Sequence, residues 1–482
     1  MTNLSDLFPA GAGKQVSFVA DGAISAAGKP VVLTAAGKVA PIAMGGGSAG
    51  TPVVFETAAA DKMMATFDSS SNKVVIAYQD VGNSDHGTSV VGTVSGTSVS
   101  YGTPVVFEAA ATSHYAVTFD SNSNKVVIAY RDEGNSNYGT AIVGTVSGTS
   151  ISYGSPVVFR SANSYFIGAT FDSSNNKVVI AYTDGAMNAI VGTVSGTSIS
   201  FGTEVEFDSA STAARTVVTF DSSANKVVIG WQDAGNSSYG TAIVGTVSGT
   251  AISFGTEVVF EAASISNSLA STFDSNSNKV VIAYVDQGNS NYGTAIVGTV
   301  SGTAISFGTA VVFETAQAQW NSATFDSNTN NVVIAYRDAG NSNYGTAING
   351  TVSGTAISFD TAVVFETDTA AEFAATFDSN SNKVFIAYED QGNSNYGTGV
   401  VYSTSSTNLT ATNFIGISDA AISDTASGNV TIKGGIAVTG LSSLTPGSDY
   451  YAQDDGTITT ATAGKKIGKA MSATSINLEY QS

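Results

Sequence analysis

One position of this sequence, repeated seven times, carries side chains whose types suit ligand recognition. Six residues before the aspartate of each recurring Thr-Phe-Asp tripeptide, the seven residues are all different. They are Lys62, His114, Phe166, Arg215, Ser268, Trp320 and Glu372. Aromatic rings stack on the apolar faces of sugars, and charged or amide groups fix sugar hydroxyls. If these positions lie together, the pattern indicates an asymmetric binding surface that suits a glycan.

Aromatic neighbours extend this candidate site. The predicted ligand-binding residues are Lys62, His114, Tyr115, Tyr165, Phe166, Arg215, Trp320, Glu372 and Phe373. The alternative interpretation is that these segments drifted after duplication, with the aromatic residues plugging a channel or packing beneath loops. The sequence leaves both interpretations open.

Catalytic chemistry has few candidates in this chain. His86 and His114 are the only histidines, cysteine is absent, and no pair of acids stands out. The repeated GNSNYGT matches the S-x-D-x-G-x-T-W boxes of sialidase-type propellers poorly. We therefore predict a protein that is not an enzyme and needs no cofactor. The alternative is a carboxylate pair from separate repeats that meets in space, as glycoside hydrolysis requires.

Polar turns such as Asp68–Lys73 resemble the oxygen-rich loops that bind calcium. They lack the central glycine and the bidentate acid that complete such a loop. An aspartate in a hairpin turn also accepts hydrogen bonds from its own backbone. The sequence therefore favours structural turns over a metal site.

The Thr-Phe-Asp tripeptide reveals the architecture. Its aspartates, the turn aspartates, are Asp68, Asp120, Asp172, Asp221, Asp274, Asp326 and Asp378, separated by 52, 52, 49, 53, 52 and 52 residues. Each copy reads as four strands divided by turns. The run Val74–Tyr78 is apolar on both alternating faces, which requires cover on both sides of its sheet. The pattern predicts an all-β, seven-bladed β-propeller of about 52-residue, four-stranded repeats.

The ends of the repeat array predict how the propeller is completed. The first copy begins with a spare strand at Thr51–Glu56, and the last copy runs out after Gly397–Ser406. We expect residues 52–56 to pair beside the strand at Gly399–Ser403, which leaves no open edge. The variable segments before each tripeptide are expected to be loops that end at the mouth of the central channel.

Three segments follow from this layout. Residues 1–50 and 407–482 are predicted to form one small β-domain, and residues 51–406 form the propeller. Residues 18–42 contain two short strands without a core of their own, and alternating strands follow from about Asn413. We therefore expect the N-terminal and C-terminal segments to form one core together.

Composition restricts the partners and the location. Eighteen basic and 38 acidic residues give a net charge of −20, which repels nucleic acid over most of the surface. No apolar run of 18 residues and no standard signal peptide is visible, so we expect no membrane span and synthesis in a cytoplasm. The absence of cysteine agrees with a reducing compartment.

The terminal segments resemble small β-modules of tailed-bacteriophage virion proteins. The similarity lies in GAISAAGKPVVL, NFIGISDAAIS, IGKAMSATSINL and Gly440–Thr460. The resemblance implies a structural protein of the particle, as a tail or head appendage or a decoration protein, made in the host cytoplasm and located on the virion. It also implies a homo-oligomer that contacts other virion proteins.

Together these features predict a virion component anchored by its terminal β-domain and displaying a propeller for a host-surface glycan or protein. The alternatives are a soluble glycan-binding propeller lectin and a polysaccharide-degrading enzyme. Tail or head location, the ligand, the oligomeric state and bound calcium stay open at this point.

Overall fold

Strands account for nearly all regular structure in this chain. The computed structural model describes residues 14–21, 23–34, 36–42, 44–45, 47–209, 215–404, 406–407, 413–453, 456–462 and 464–479. Within these residues there is no α-helix, and no helix is long and apolar enough to cross a membrane. Single turns of 3-10 helix occur at Val81–Asn83, Glu133–Asn135, Ala234–Asn236, Gln287–Asn289 and Gln391–Asn393.

The chain divides into two compact units. One unit is Gly46–Thr404, and the other combines Met1–Gly45 with Ser405–Ser482. The first unit contains the seven repeats, which form the blades of the propeller. Blades 1 to 7 are numbered below by their turn aspartates, from Asp68 to Asp378.

Four kinds of strand build the blades. The shared strands are Val53–Asp68, Val105–Asp120, Val157–Asn163 with Tyr165–Asp172, Val205–Asp208 with Thr216–Asp221, Val258–Asp274, Val311–Asp326 and Val363–Asp378. The second strands are Lys73–Asp80, Lys125–Asp132, Lys177–Thr183, Lys226–Asp233, Lys279–Asp286, Asn331–Asp338 and Lys383–Asp390. The third strands are His86–Ser95, Tyr138–Ser147, Met187–Ser195, Tyr239–Ser248, Tyr292–Ser301, Tyr344–Ser353 and Tyr396–Ser403. The hairpin strands are Ser98–Tyr101, Ser150–Tyr153, Ser198–Phe201, Ala251–Phe254, Ala304–Phe307 and Ala356–Phe359.

Each shared strand belongs to two blades. In Val105–Asp120, the residues Val105 to Ala111 pair with the third strand of blade 1, and Thr112 to Asp120 pair with the second strand of blade 2. The innermost strands contact one another in chain order, and the last of them contacts the first. This circular arrangement confirms the predicted seven-bladed propeller.

The variable segments are the middle parts of the shared strands, and the prediction that they are loops was wrong. In five blades the shared strand runs without interruption through the variable residues. In blade 3 it is interrupted at Ser164, and in blade 4 the interruption includes residues 210–214, which lie outside the described residues. The extended backbone continues because it finds a hydrogen-bonding partner strand on either side of the crossing.

The blades are held together by packing on both faces and by a recurring polar clasp. Every side chain of Val74–Tyr78 is buried, as the apolar pattern predicted. The buried tyrosine hydroxyl then donates to a glutamate of the shared strand, as Tyr130 does to Glu108 at 3.1 Å. The other pairs of this kind are Tyr78–Glu56, Tyr284–Glu261, Tyr336–Glu314 and Tyr388–Glu366.

Blade 3 builds the clasp differently. Arg160 occupies the position of the glutamate, and the Tyr182 hydroxyl donates instead to Glu204 at 2.5 Å. The Arg160 guanidinium bridges Glu204 and Asp184. A change at one position is therefore compensated by residues 24 and 44 positions further along the chain.

Blade 7 combines both ends of the unit. Val53 pairs with Gly399, and Ser48 pairs with Ser403. In other blades a glycine of the third strand lies beneath the aromatic residue of the hairpin strand, and a Cβ on Gly144 would come within 2.9 Å of the Tyr153 ring. Blade 7 has Tyr402 at this position, and its hydroxyl donates to the buried Asn349 side chain at 3.0 Å.

The terminal unit contains two five-stranded sheets and a strand pair. The first sheet has the order Gln15–Val19, Ser427–Ile432, Phe414–Ser418, Pro30–Leu33 and Val39–Pro41. The second has the order Ile436–Ala437, Ser475–Leu478, Lys465–Ser472, Asp449–Ala452 and Ile458–Thr459. Met44–Gly45 pairs with Ser406–Thr407. The first sheet thus combines strands from both ends of the chain, and the unit has buried clusters of its own.

Candidate functional site

A β-bulge in the shared strand creates the position that varies among the blades. In blade 1, Asp61 pairs with Gln79 and Met64 pairs with Ala77, so Lys62 and Met63 together face Tyr78. A bulge places two residues opposite one and re-aims a side chain. Blades 2, 3, 6 and 7 contain the same irregularity at His114, Phe166, Trp320 and Glu372.

The backbone at this bulge is left-handed in residues that rarely adopt it. Lys62, His114, Phe166, Trp320 and Glu372 have φ angles of 50°, 53°, 49°, 51° and 52°. Side chains with a Cβ are disfavoured in this region, and glycine is the usual residue at such a bulge. Five bulky residues therefore carry backbone strain at one repeated position. Strain of this kind concentrates at functional sites.

The variable residues of all seven blades, five of them at the bulge, converge on one cavity of about 400 Å³, named here the chamber. Its wall contains every one of the seven variable residues, at the positions Lys62, His114, Phe166, Arg215, Ser268, Trp320 and Glu372. Met64, Ser266, Gln317 and Gln319 add to the wall. Cavities of this size, with polar groups among apolar ones, commonly bind small molecules. Below it, a cavity of about 150 Å³ is lined largely by Ala, Val, Ser and Gly.

The residue after the bulge position packs into the blade core in blades 2 and 7. Tyr115 and Phe373, both predicted to bind ligand, are only 2% exposed. The Tyr115 ring packs edge-on against Phe107, and Phe373 stacks on Tyr388. The bulge is the physical reason, because two neighbouring residues face one partner and the second of them is buried. Tyr115 also lines the chamber, whereas Phe373 lines only the narrower cavity beneath it.

An aromatic cluster forms where blades 2 and 3 meet. The His114 ring lies 5.1 Å from the Phe166 ring and 5.5 Å from Tyr165, measured between centroids. The Arg131 guanidinium lies 4.6 Å from the centre of the Tyr165 ring, a cation–π geometry. Tyr165 therefore supports the wall from behind and is not part of the chamber surface.

Two variable side chains also serve the scaffold. His114 Nδ1 accepts a hydrogen bond from the Phe166 backbone N–H at 3.3 Å. Ser268 Oγ accepts from the Asn321 backbone N–H at 2.9 Å. Burial, followed by the nearby Arg131, lowers the pKa of His114 to about 4, so its imidazole is neutral at pH 7. These hydrogen bonds explain in part why the chain has histidine at position 114 and serine at position 268.

Opposite charges face one another across the chamber. Lys62 Nζ contacts Asp61 Oδ2 at 2.9 Å and Gln79 Oε1 at 2.7 Å. Burial lowers the pKa of Arg215, and the Glu372 carboxylate opposes that change. Burial raises the pKa of Glu372, against the effects of Arg215 and Lys62. The chamber is therefore a polar, charged environment with restricted access to water.

A second ring of variable residues lies behind the first, and the sequence analysis missed it. It is the residue before the aspartate that ends each second strand, namely Gln79, Arg131, Thr183, Gln232, Val285, Arg337 and Glu389. The Arg337 guanidinium lies 4.9 Å from the Trp320 ring centre, and Gln232 donates to the Ile265 backbone carbonyl. Burial raises the pKa of Glu389 to about 7. The signal was available, because this position also differs between copies while its neighbours repeat.

The turn aspartates bind their own turns. Asp274 Oδ1 accepts from the backbone N–H groups of Asn276 and Ser277 at 2.8 and 3.0 Å, and Asp274 Oδ2 accepts from the Ser277 hydroxyl at 2.6 Å. The other six turn aspartates accept the same two backbone bonds. Across the described part of the chain, no cluster of three or more His, Asp or Glu residues is placed to hold a metal ion.

Comparisons with known proteins support the fold. No protein-family model and no curated protein matches the sequence. Among solved structures, the BP39L lectin from Burkholderia pseudomallei aligns with a TM-score of 0.52 at 11% identity, over 74% of this chain and 99% of that chain. The Cps50 (Swd1) β-propeller domain of Myceliophteria thermophila aligns at 0.46 and 9%, over 73% and 99%. The SapL1 lectin in complex with alpha methyl fucoside aligns at 0.39 and 12%, over 65% and 97%. At these identities the likeness to the first is one of fold alone.

Proposed function

We propose that this protein binds a sugar in the chamber at the mouth of its central channel. The observation that carries the proposal is that seven different side chains at one repeated position line a single cavity, and that a bulge holds five of them, none glycine, in a left-handed backbone. Drift without selection for a site does not account for strain retained at the same position of five blades.

The chemistry of the chamber favours a sugar over an apolar ligand. Trp320 and Phe166 offer apolar faces, while Lys62, Arg215 and Glu372 offer donors and acceptors for hydroxyls. A lectin is also among the proteins that share this fold. A binding role without catalysis agrees with the thin catalytic inventory of the sequence.

The two tryptophans provide a direct test. Trp231 is buried in blade 4 at a position where the other six blades have tyrosine, so Trp231→Tyr leaves Trp320 as the sole tryptophan without disturbing the pattern of the repeat. We expect monosaccharides from a panel to shift or quench the Trp320 emission of this variant, and calorimetry on the unmodified chain to give the same affinity order.

Trp320→Ala should abolish sugar binding while the protein still melts cooperatively. A matched control is Tyr344→Ala, which removes an aromatic residue that does not line the chamber. If no sugar changes the emission and none gives heat, the proposed function is wrong.

We also propose that the chain is a structural component of a tailed-phage particle, attached through the terminal unit. Support comes from the resemblance of the terminal segments and from the folding of both chain ends into a unit with its own core. Immunogold electron microscopy with an antibody to the propeller should label particles from the source. Label on the tail would favour host attachment, label on the head would favour decoration, and particles without label would contradict the proposal.

A further inference from the structure

The basic residues of the propeller are concentrated at the chamber. Gly46–Thr404 contains 11 basic and 30 acidic residues, a net charge of −19. Six of the 11 are lysines in the repeated turns, at Lys73, Lys125, Lys177, Lys226, Lys279 and Lys383. Of the other five, Lys62 and Arg215 line the chamber, and Arg131 and Arg337 stack on aromatic residues beside it. Only Arg160 is placed elsewhere, in the blade 3 clasp.

Three of these four cations already have partners, and Arg215 differs from them. Lys62 has Asp61 and Gln79, while Arg131 and Arg337 have the rings of Tyr165 and Trp320. Among the described residues, none accepts a hydrogen bond from Arg215, and no carboxylate lies within 4 Å of its nitrogens. Its interaction with Glu372 acts over a longer distance and only opposes the effect of burial.

The Arg215 side chain is partly exposed, so its five donors face the solvent of the chamber. A ligand that fills the chamber would displace this water, and charged groups removed from water are costly unless they are paired and hydrogen-bonded. Arg215 lines both the chamber and the narrower cavity beneath it, so its side chain lies on the path that a ligand would occupy. A ligand that brings its own acceptors would satisfy it.

We propose that the sugar bound in the chamber carries a carboxylate and that Arg215 binds this group. The inference rests on the proposed sugar-binding function and adds the chemical class of the ligand. The planar fork of arginine matches a carboxylate through two parallel hydrogen bonds. A monoanion is favoured over a phosphate dianion because Glu372 and Asp61 already place negative charge around the site.

Glu372 provides a second test of the acidic-sugar proposal, because its carboxylate competes with the carboxylate of the ligand for Arg215. Its carboxylate interacts with Arg215 across the chamber, and Asp61 and Lys62 are the other charged groups that act on it. A bound carboxylate would face Glu372 as a like charge. Removing that charge, with Glu372→Gln, should therefore strengthen the binding of an acidic sugar and leave a neutral sugar nearly unaffected.

Calorimetry with matched sugar pairs tests the inference on the full chain. Methyl glucuronide and methyl glucoside, with the corresponding galactose and mannose pairs, differ at one carbon that is carboxylate or hydroxymethyl. We expect the acidic member of at least one pair to bind roughly tenfold more tightly or better, as hydrogen bonds to a charged group allow. Arg215→Gln should abolish this preference, and Arg215→Lys should restore part of it.

Lys73→Gln is the matched control, since it removes one positive charge from a turn of the same propeller. It should keep the preference for the acid. Equal or tighter binding of the neutral sugars would overturn the carboxylate inference and leave the proposed function in place. Binding of neither member of any pair would overturn both. An unchanged preference in Arg215→Gln, with its melting temperature intact, would show that Arg215 is not the partner.

Discussion

Two positions that lie six residues apart in every repeat differ in how much they vary between the blades. The turn aspartate is the same in all seven blades, is buried, and satisfies the backbone of its own turn. The bulge position differs in all seven blades, and its side chain faces the chamber. In six blades both residues lie in the same strand. The difference shows that a side chain which bonds its own turn is constant, whereas one that faces the chamber varies.

The largest effect is expected where a repeated residue fills the core. Tyr130→Ala removes a buried ring packed 5.3 Å from Phe107 and a hydrogen bond to Glu108, and it should cost about 3 to 5 kcal/mol of unfolding free energy. Trp320→Ala, at the chamber, should cost about 1 kcal/mol. Urea unfolding of the two variants measures both. Equal losses would break the distinction between the two kinds of position.

A turn aspartate should matter less than a core ring and more than its exposed neighbour. Asp274→Ala deletes three hydrogen bonds to a carboxylate, and we expect a loss of about 2 to 3 kcal/mol. Ser275→Ala in the same turn is the control and should change stability by less than about 0.5 kcal/mol, because its side chain is exposed. A loss in both would mean that the turn, and not the carboxylate, is what the repeat preserves.

In the blade 3 clasp, Arg160 replaces the repeated glutamate and Glu204 compensates for the change, so both residues can be mutated back together. Arg160→Glu alone should destabilise the blade, because it adds a like charge beside Asp184 and Glu204. Arg160→Glu with Glu204→Ala recreates the arrangement of Tyr130 with Glu108 and should recover stability. A double-mutant cycle should give a coupling of about 1 kcal/mol. Strict additivity of the two changes would show that the clasp does not couple these residues.

The smallest effect is a change in the pH dependence of stability. The pKa of folded His114 is about 4, below its ordinary value of 6.5, so the unfolded chain gains the proton first and stability falls as the pH drops from 6.5 toward 4. The raised pKa of Glu389, about 7, acts in the opposite direction, since the folded chain takes that proton first. His114→Gln should therefore tolerate acid better than the parent. Melting temperatures between about pH 7 and pH 4.5 test this, and parallel curves would contradict it.

The regular part of the molecule was readable from the sequence because it repeats. The spacing of the turn aspartates predicted the seven blades, and the apolar run Val74–Tyr78 predicted sheets covered on both faces. The spare strand at the start of the array predicted a pairing that the structure has between Val53 and Gly399. Each of these signals depends on local composition or on a period.

The site was predictable only in part, because a bulge interrupts the alternation of a strand. Lys62 and His114 line the chamber together, whereas Tyr115 and Phe373, one position after the variable residue, are only 2% exposed. A single extra residue reverses the side of every neighbour, and no composition signal marks it. The contact of Arg131 with Tyr165 depends on the packing of blade 2 against blade 3, which the order of residues along the chain does not reveal.

The assembly of blade 7 from both ends of the propeller unit has a mechanical consequence. Ser48 and Ser403 are paired, and from there the chain leaves the unit in both directions. A force that pulls the two ends apart would break these terminal hydrogen bonds one after another. It would not load all the hydrogen bonds of the strand pair at once, as a shearing force does. We expect single-molecule stretching to open blade 7 first and at low force, with the Tyr402 to Asn349 contact as its latch.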